Sequence, residues 1–477
     1  MSEKKDGMLV VILTSIATLG GLLFGYDTAV ISGAVSSIDI NFVDPLNLPE
    51  TLRNSLSGFT ISSALFGCII GGSVAGALGD RFGRRNGLVF AAVLFVLSAI
   101  GSALPEVGFG TIGEMGPRAL VPFVCYRIIC GVGVGIASLL SPLYIAEIAP
   151  KSTRGRLVSC NQLAIIMGMV VVYFVNWAIA LQGSEEWLHA VGWRLMLGSE
   201  AIPAVIFLGL LMTVPETPRW LMMHGREAAA HAVLTRLGSE SDIDAVVAEI
   251  RASVAEKSGR LLSFGFKVIV VGIMISVFQQ LVGINAILYY APLMFKNMGA
   301  TTDSALLQTI VVGVANASFT CVAIFTVDRI GRKPLMIIGA AIMAVSMIVI
   351  GLLFNLQMVG LGALVAVVAY IAGFAVSWGP VAWVLLAEIF PAPIKGTALA
   401  IAVAAQWIAN LGVSWTFKVL DGNSVLNAHF NHGFAYYFYG IMSVLAALFV
   451  YRYVPETKGK SLEQMEQLWG PGAKAGA

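Results

Sequence analysis

Apolar runs near bilayer length recur from one end of the chain to the other, with short polar segments between them. A helix of roughly 20 apolar residues covers the hydrocarbon core of a bilayer, and by that measure the pattern predicts about twelve spans. The first six lie near 9–33, 57–79, 86–104, 119–146, 157–181 and 192–214. A polar stretch, 215–265, follows. Six more lie near 267–295, 305–326, 334–354, 360–388, 396–417 and 433–454, and a polar tail, 455–477, ends the chain. Within the polar stretch, Ile243, Val246, Val247, Ile250 and Val254 recur at amphipathic-helix spacing, and Arg226 to Leu237 reads as a second surface helix. The predicted class is an all-α polytopic membrane protein. Its organisation is a six-helix half at 1–214, a linker at 215–265, a second half at 266–454 and a tail at 455–477. The first run is too long for a cleaved signal peptide, carries Asp27 and lacks a small-x-small cleavage site, so it is read as a span.

Composition agrees with this reading. Of 477 residues, 58% are hydrophobic and 12% charged, about half the charged share of a soluble domain. The net charge of +2 says little by itself and gives no sign of a nucleic-acid partner. The placement of the charges says more. Lys4, Lys5, Arg81, Arg84, Arg85, Lys151, Arg154, Arg156, Arg329, Arg332, Lys333, Arg452, Lys458 and Lys460 fall in loops of one side; Asp39, Asp44, Glu50, Glu106, Glu114, Glu185 and Glu186 fall in loops of the other. The positive-inside rule then puts both termini and the linker in the cytoplasm of a cell whose inner membrane holds the protein. All five cysteines sit in apolar runs and read as small packing residues. The five histidines fall in or beside loops without ligand spacing, so no metal site is expected.

The two halves repeat. Asp80-Arg81-Phe82-Gly83-Arg84-Arg85 after the second span returns as Asp328-Arg329-Ile330-Gly331-Arg332-Lys333 after the eighth. Glu147-Ile148-Ala149-Pro150 returns as Glu388-Ile389-Phe390-Pro391, with Arg154-Gly155 and Lys395-Gly396 beyond them. Pro215-Glu216-Thr217-Pro218-Arg219 returns as Pro455-Glu456-Thr457-Lys458-Gly459. Three motifs repeated at an offset of about 240 residues describe two parallel six-span halves, a transporter plan with its site near the midplane.

These loops, together with Gln279-Gln280-x-x-Gly283-Ile284-Asn285, resemble the sugar porter family of the major facilitator superfamily, over nearly the whole chain. Gly20 to Gly33 and Ala402-Val403-Ala404-Ala405-Gln406-Trp407 are most similar to its bacterial D-xylose:proton symporters. The resemblance implies the major facilitator fold, no enzymatic activity, no cofactor beyond a proton gradient, and alternating-access symport of a neutral monosaccharide by a monomer. D-xylose is the first expected sugar. An uncoupled facilitator, or a symporter of another pentose or hexose such as glucose, galactose or arabinose, is the alternative.

Depth along the helices places the buried charges. Asp27 lies about 18 residues into an outward-running span, roughly 27 Å at 1.5 Å per residue. Arg127 lies about 8 residues, roughly 12 Å, into an inward-running one, and Glu200 is at a similar depth in the sixth. Three spans thus bring two acids and a base to one level, where charges in a membrane pair. A structural ion pair fits this pattern, and so does a proton switch. The family resemblance implies the switch, with Asp27 taking the proton and Arg127 its partner. Passive relatives typically carry asparagine at the position of Asp27.

The second half has amides and aromatics where the first has charges. Gln279, Gln280, Asn285, Asn316 and Gln406 lie on its spans, and Gln162 on the fifth. An amide both donates and accepts, which matches a sugar hydroxyl. Phe24, Tyr289, Trp383 and Trp407 offer faces for a pyranose ring. Each of these residues alone has a bland reading: a glutamine as an interhelical hydrogen bond, a tryptophan as a membrane-belt anchor. The resemblance makes them the sugar site. It also exposes a departure: xylose symporters carry a glutamine where this chain has Met169. Gly283 and Gly379-Pro380 interrupt their helices, and such breaks mark moving segments in transporters.

Asp80, Arg81, Arg84, Glu147 and Arg154, with Asp328, Arg329, Arg332, Glu388 and Lys395, read from the residues as a topology signal. The resemblance implies a cytoplasmic latch, with Lys395 lacking the fork of the usual arginine. An intramembrane aspartyl protease is the strongest enzymatic rival. It fails because Asp27 and Asp80 lie at different depths. Lys460-Ser461 is no phosphate loop, since Val454 stands where that loop needs glycine. A non-transporting sugar receptor of the same fold differs only in flux.

Overall fold

Proline, glycine and charge decide where the helices of this chain bend and stop. The computed structural model describes residues 2–150, 153–237, 243–255, 261, 264–358, 360–458 and 469. Lys151, Lys460, Ser461 and the side chains of Val254 and Asp328 lie outside that description. Among the described residues there is no strand, and twelve helices are long and apolar enough to cross a membrane. They are Met8–Gly33, Glu50–Phe82, Arg84–Ala103, Gly116–Ile148, Arg154–Ala180, Glu185–Leu211, Phe266–Asn297, Thr302–Ala323, Arg332–Asn355, Leu361–Ile389, Lys395–Asp421 and Phe434–Tyr453. The predicted spans all appear. The second and fourth are longer than predicted because polar first turns extend them beyond their apolar runs.

Three spans are broken, each for a local reason. In the sixth, Pro203 has no N–H for the carbonyl four residues back, and the helix is interrupted at Ser199–Glu200 before resuming as Ala201–Leu211. In the seventh, Gly283 takes φ +92° between Phe266–Leu281 and Ile284–Asn297. The Tyr370 hydroxyl donates to the Val282 carbonyl at that break, 2.9 Å away. In the tenth, Ser377 (φ −126°, ψ −90°) separates Leu361–Val376 from Trp378–Ile389, three residues before Pro380.

Packing divides the chain into two units. One comprises Met1–Val30, Phe66–Val175 and Trp193–Lys257; the other comprises Ile31–Leu65, Asn176–Gly192 and Ser258–Ala477. This differs from a cut at the linker. In the second unit, Lys418 pairs with Asp39 at 2.8 Å, Asn54 donates to the Gly422 carbonyl at 2.7 Å, and Lys296 pairs with Glu185 at 2.8 Å. Those bonds tie loop-proximal ends of the first, second and sixth spans to the second half. The linker forms Glu227–Leu237 and Ile243–Ala255 at the predicted places, and a further short helix, Pro218–Met223, that was not predicted. Trp220, Leu221 and Ala230 make its small core, and Trp220 Nε1 donates to the Asp80 carbonyl at 2.9 Å.

Candidate functional site

In the first unit the three membrane charges meet. Asp27 is fully buried on the first span, Arg127 on the fourth and Glu200 at the break of the sixth. The Arg127 guanidinium donates through Nη1 to Asp27 Oδ1, and Nη2 lies 3.5 Å from both Oδ2 and the Asp27 carbonyl. The Arg127 Nε–H has no partner among the described residues. Cys130, one turn along from Arg127, points its thiol at Glu200 Oε1, 3.8 Å away. Beside the charges, Tyr26 and Ser199 share a hydrogen bond of 2.7 Å. Glu200 sits at the start of Ala201–Leu211 with helical backbone angles (φ −61°, ψ −25°) and no side-chain capping bond, which leaves its carboxyl to the cluster. The Asp27 and Glu200 oxygens and the Cys130 sulfur lie within 4.8 Å of one another. Such atoms also ligate metals. Here the guanidinium bonded to Asp27 already takes the place of the cation.

Close helix approach holds Asp27 there. A Cβ on Gly25 would lie 1.8 Å from the Ile165 carbonyl oxygen, and one on Gly168 2.1 Å from that of Leu22. The first and fifth spans therefore touch backbone to backbone next to the aspartate. Phe24 and Gln162 are half-buried on these same two helices, and Met169 is buried on the fifth.

In the second unit four of the predicted amides form one chain. Asn285 Nδ2 donates to Gln280 Oε1 at 2.6 Å. Gln280 Nε2 is 3.5 Å from Gln279 Oε1, which also accepts from Gln406 Nε2 at 2.6 Å. Gln279 Nε2 donates to the carbonyls of Trp378 and Gly379, at 2.9 and 3.3 Å, just past the break in the tenth span. Gln279 is thereby committed to the protein at both ends of its amide. Gln406 is not: its Oε1 is buried with no partner among the described residues. An orphaned buried acceptor costs about 1–3 kcal/mol, so this atom awaits a donor. Asn316, Tyr289 and Trp407 are buried, and Trp383 is the most exposed of the predicted rings at 37%.

The repeated motifs build two matching cages. In the first unit, Arg84 donates to Glu147 Oε1 from Nε at 3.2 Å and pairs through Nη2 at 3.1 Å, and it reaches Asp80 at 3.1 Å. Thr217 Oγ1 donates to the other Glu147 oxygen at 2.6 Å. Glu216 caps the third span, accepting from the backbone N–H groups of Arg84 at 3.0 Å and Arg85 at 3.1 Å. In the second unit, Arg332 binds Glu388 through Nε at 3.1 Å and Nη2 at 2.9 Å, Thr457 donates to Glu388 at 2.5 Å, and Glu456 caps Arg332 and Lys333 at 3.1 and 3.0 Å. Gly83 and Gly331, both at φ +101°, make the turns. A Cβ there would meet Glu216 at 2.1 Å and Glu456 at 2.8 Å. Burial pushes the Glu216 carboxyl above its ordinary range, and its backbone donors recover only part of that. Burial also raises Glu456, but its four backbone donors outweigh it and hold this carboxyl below the ordinary range.

Residues 13–469 match the family model described as sugar (and other) transporter. The chain belongs to the sugar transporter family. It is 55% identical to the D-xylose-proton symporter of Escherichia coli K12, over 99% of this chain and 98% of that protein. It is 46% identical to the glucose facilitated diffusion protein of Zymomonas mobilis, covering 98% of this chain and 99% of the relative. The inward open structure of the E. coli xylose transporter XylE aligns with a TM-score of 0.88 at 53% identity, over 96% of this chain and all of that one (100%). The family and these relatives are transporters, and the chain is a twelve-span member of it.

Within this transporter, the cage carboxylates Glu216 and Glu456 and their threonines were not among the predicted latch residues, although the repeated Pro-Glu-Thr pointed at them. Arg81 and Arg154 are exposed, and Arg81 stacks its guanidinium 5.3 Å from the Phe82 ring. The carbonyl of exposed Arg329 accepts from Lys458 Nζ at 2.7 Å, and Lys395 is half-buried. Cys130 packs in the interior as read from the sequence, and its thiol also lies 3.8 Å from Glu200 Oε1. No sequence signal separates it from Cys68, which is equally buried in an apolar run.

Proposed function

We propose that the protein is a proton-coupled monosaccharide symporter of the cytoplasmic membrane, with D-xylose as its first candidate sugar, and that Asp27, Arg127 and Glu200 carry the proton. The observation that carries this reading is a fully buried group of two carboxyls and one guanidinium in a chain 55% identical to a D-xylose-proton symporter. An uncompensated buried charge costs several kcal/mol, so the group is neutral when it holds one proton on its two acids. Losing that proton leaves one negative charge, which is tolerable only when water reaches the cluster. Water access that alternates between the two sides of the membrane, as in alternating access, then moves the proton. The amide chain offers what a neutral polyol needs: the Gln406 acceptor takes a hydroxyl proton, and the Gln280 amide donates. The transported species are a sugar and a proton, with the lipid bilayer as surroundings, a single chain as the working unit and both termini in the cytoplasm.

The test replaces Asp27 by asparagine. Uphill sugar accumulation in energised vesicles should be abolished while sugar exchange persists; accumulation at the wild-type level would remove Asp27 from coupling. A second reading concerns the sugar. The relatives include an arabinose-proton symporter of Bacillus subtilis at 38% identity and the glucose facilitator above. Buried Met169 offers no hydrogen bond where the xylose symporters carry glutamine. Extracellular alkalinisation on addition of xylose, arabinose, glucose and galactose separates these choices.

A further inference from the structure

Span three carries two buried serines, one turn apart, that make no back-bond to the helix; Ser141 and Ser276 share this property singly on other spans. Most serines and threonines in the spans bond back to a carbonyl three or four residues earlier: Ser73 to Ile69 at 2.6 Å, Ser138 to Gly135 at 2.8 Å, Ser443 to Tyr439 at 2.8 Å. Ser98 and Ser102 do not. They are 0% and 1% exposed; the Ser102 hydroxyl has no hydrogen-bond partner among the described residues, and the Ser98 hydroxyl makes no back-bond and has only the Cys130 thiol beside it. Each such orphan costs about 1–3 kcal/mol, and the usual remedy for a buried unpaired hydroxyl is water.

Their positions give the pair a direction. The Ser98 hydroxyl lies beside the Cys130 thiol, and that thiol points at Glu200 Oε1 from 3.8 Å. Ser102 is one turn, about 6 Å, farther along the same helix. One residue beyond it, the Ala103 carbonyl accepts from Arg194 Nη1 at 3.0 Å, and Arg194 is paired with Glu106 at 2.5 Å. That end of the span is the one the charge pattern assigns to the outside. A gap of 5–6 Å between side chains four apart on a helix is one that a single bridging water spans.

We propose that Ser102 and Ser98 hold a short file of water from the Glu106–Arg194 end of span three to the Glu200 carboxyl, and that Cys130 is the positioning residue that turns Glu200 toward it. A proton arriving on this water adds to the Glu200 carboxylate, forming an O–H bond and cancelling one negative charge, and the donating hydronium returns to water. Nothing else is consumed. The Asp27 carboxylate lies within 4.8 Å of both Glu200 and Cys130, so a proton delivered to Glu200 reaches the same cluster.

The inference rests on the coupling role of the buried acids, so the experiment separates the two. Full-length wild type, Ser98→Ala/Ser102→Ala, Cys130→Ala, Cys130→Ser and Glu200→Gln are compared in two assays with D-xylose. One is sugar-driven alkalinisation, which needs net proton entry. The other is sugar counterflow, which does not. The serine double variant and Cys130→Ala should slow alkalinisation at least fivefold with counterflow within twofold of wild type, and Cys130→Ser should restore it. Wild-type alkalinisation in the serine variant, alongside its loss in Glu200→Gln, overturns the water file alone. Wild-type alkalinisation in Glu200→Gln overturns coupling through Glu200 and the file with it. Loss of both assays in the serine variant, not rescued by Ser98→Thr/Ser102→Thr, assigns the hydroxyls to packing and also overturns the file.

Discussion

Asp27 could be singled out from the sequence because one charge in an apolar run is conspicuous, and Arg127 because it repeats the anomaly three spans later. Cys130, Ser98 and Ser102 could not, since small residues of this kind fill helix interfaces everywhere. The amides show a further limit. Gln279 and Gln280 are neighbours in sequence and look alike there. The structure gives Gln279 three partners and leaves Gln280 Nε2 only a 3.5 Å approach to Gln279, too long for a good hydrogen bond. Gln280 is therefore the better donor to a sugar. Gln280→Ala should weaken sugar binding by about 1–3 kcal/mol in a titration of the purified protein. Unchanged affinity would return Gln280 to a role in holding Asn285.

At the scale of elements, the informative features are where helices break and where they touch. Pro203 interrupts the sixth span next to Glu200, and Gly283 and Ser377 open the seventh and tenth spans beside the amide chain. The Gly283 interruption was readable in advance, whereas in the tenth span the break falls at Ser377, ahead of the expected Gly379-Pro380. Pro203, midway along the predicted span 192–214, marks a break by the same rule, but it does not by itself say which side chain lies at the interruption. The contact of the first and fifth spans is tighter still. Gly25→Ala must push the Ile165 backbone away from a 1.8 Å clash. Overpacking of this kind costs about 1–3 kcal/mol. A lowered thermal unfolding midpoint of the detergent-solubilised protein is expected, with impaired accumulation because Asp27 moves with its helix. An unchanged midpoint would show that the two helices can separate at no cost.

Across the whole molecule the repeat is structural as well as textual, since each unit carries its own arginine–glutamate–threonine cage. The two cages differ in charge regulation. Glu456 is held low by its backbone donors, so its contribution to stability is present above the ordinary carboxyl value of about 4.3 and is lost as pH falls through its lowered value. Glu216 is held high by burial, so its ionisation opposes folding at neutral pH, and that penalty lifts as pH falls through its raised value. At pH 7, Glu456→Gln should therefore lower the thermal midpoint more than Glu216→Gln, and the gap should narrow in acid. Equal losses at both sites would mean that the cages are electrostatically equivalent. The sequence by itself determined the span count, the internal repeat, the linker helices and the family, because bilayer length, helical period and turn-forming motifs are local properties written in consecutive residues. Only the tertiary structure decided which buried groups meet: Cys130 with Glu200, Gln406 with Gln279, and the packing of Lys418 on Asp39. Those pairings depend on distances between helices far apart in the chain, which no local pattern encodes.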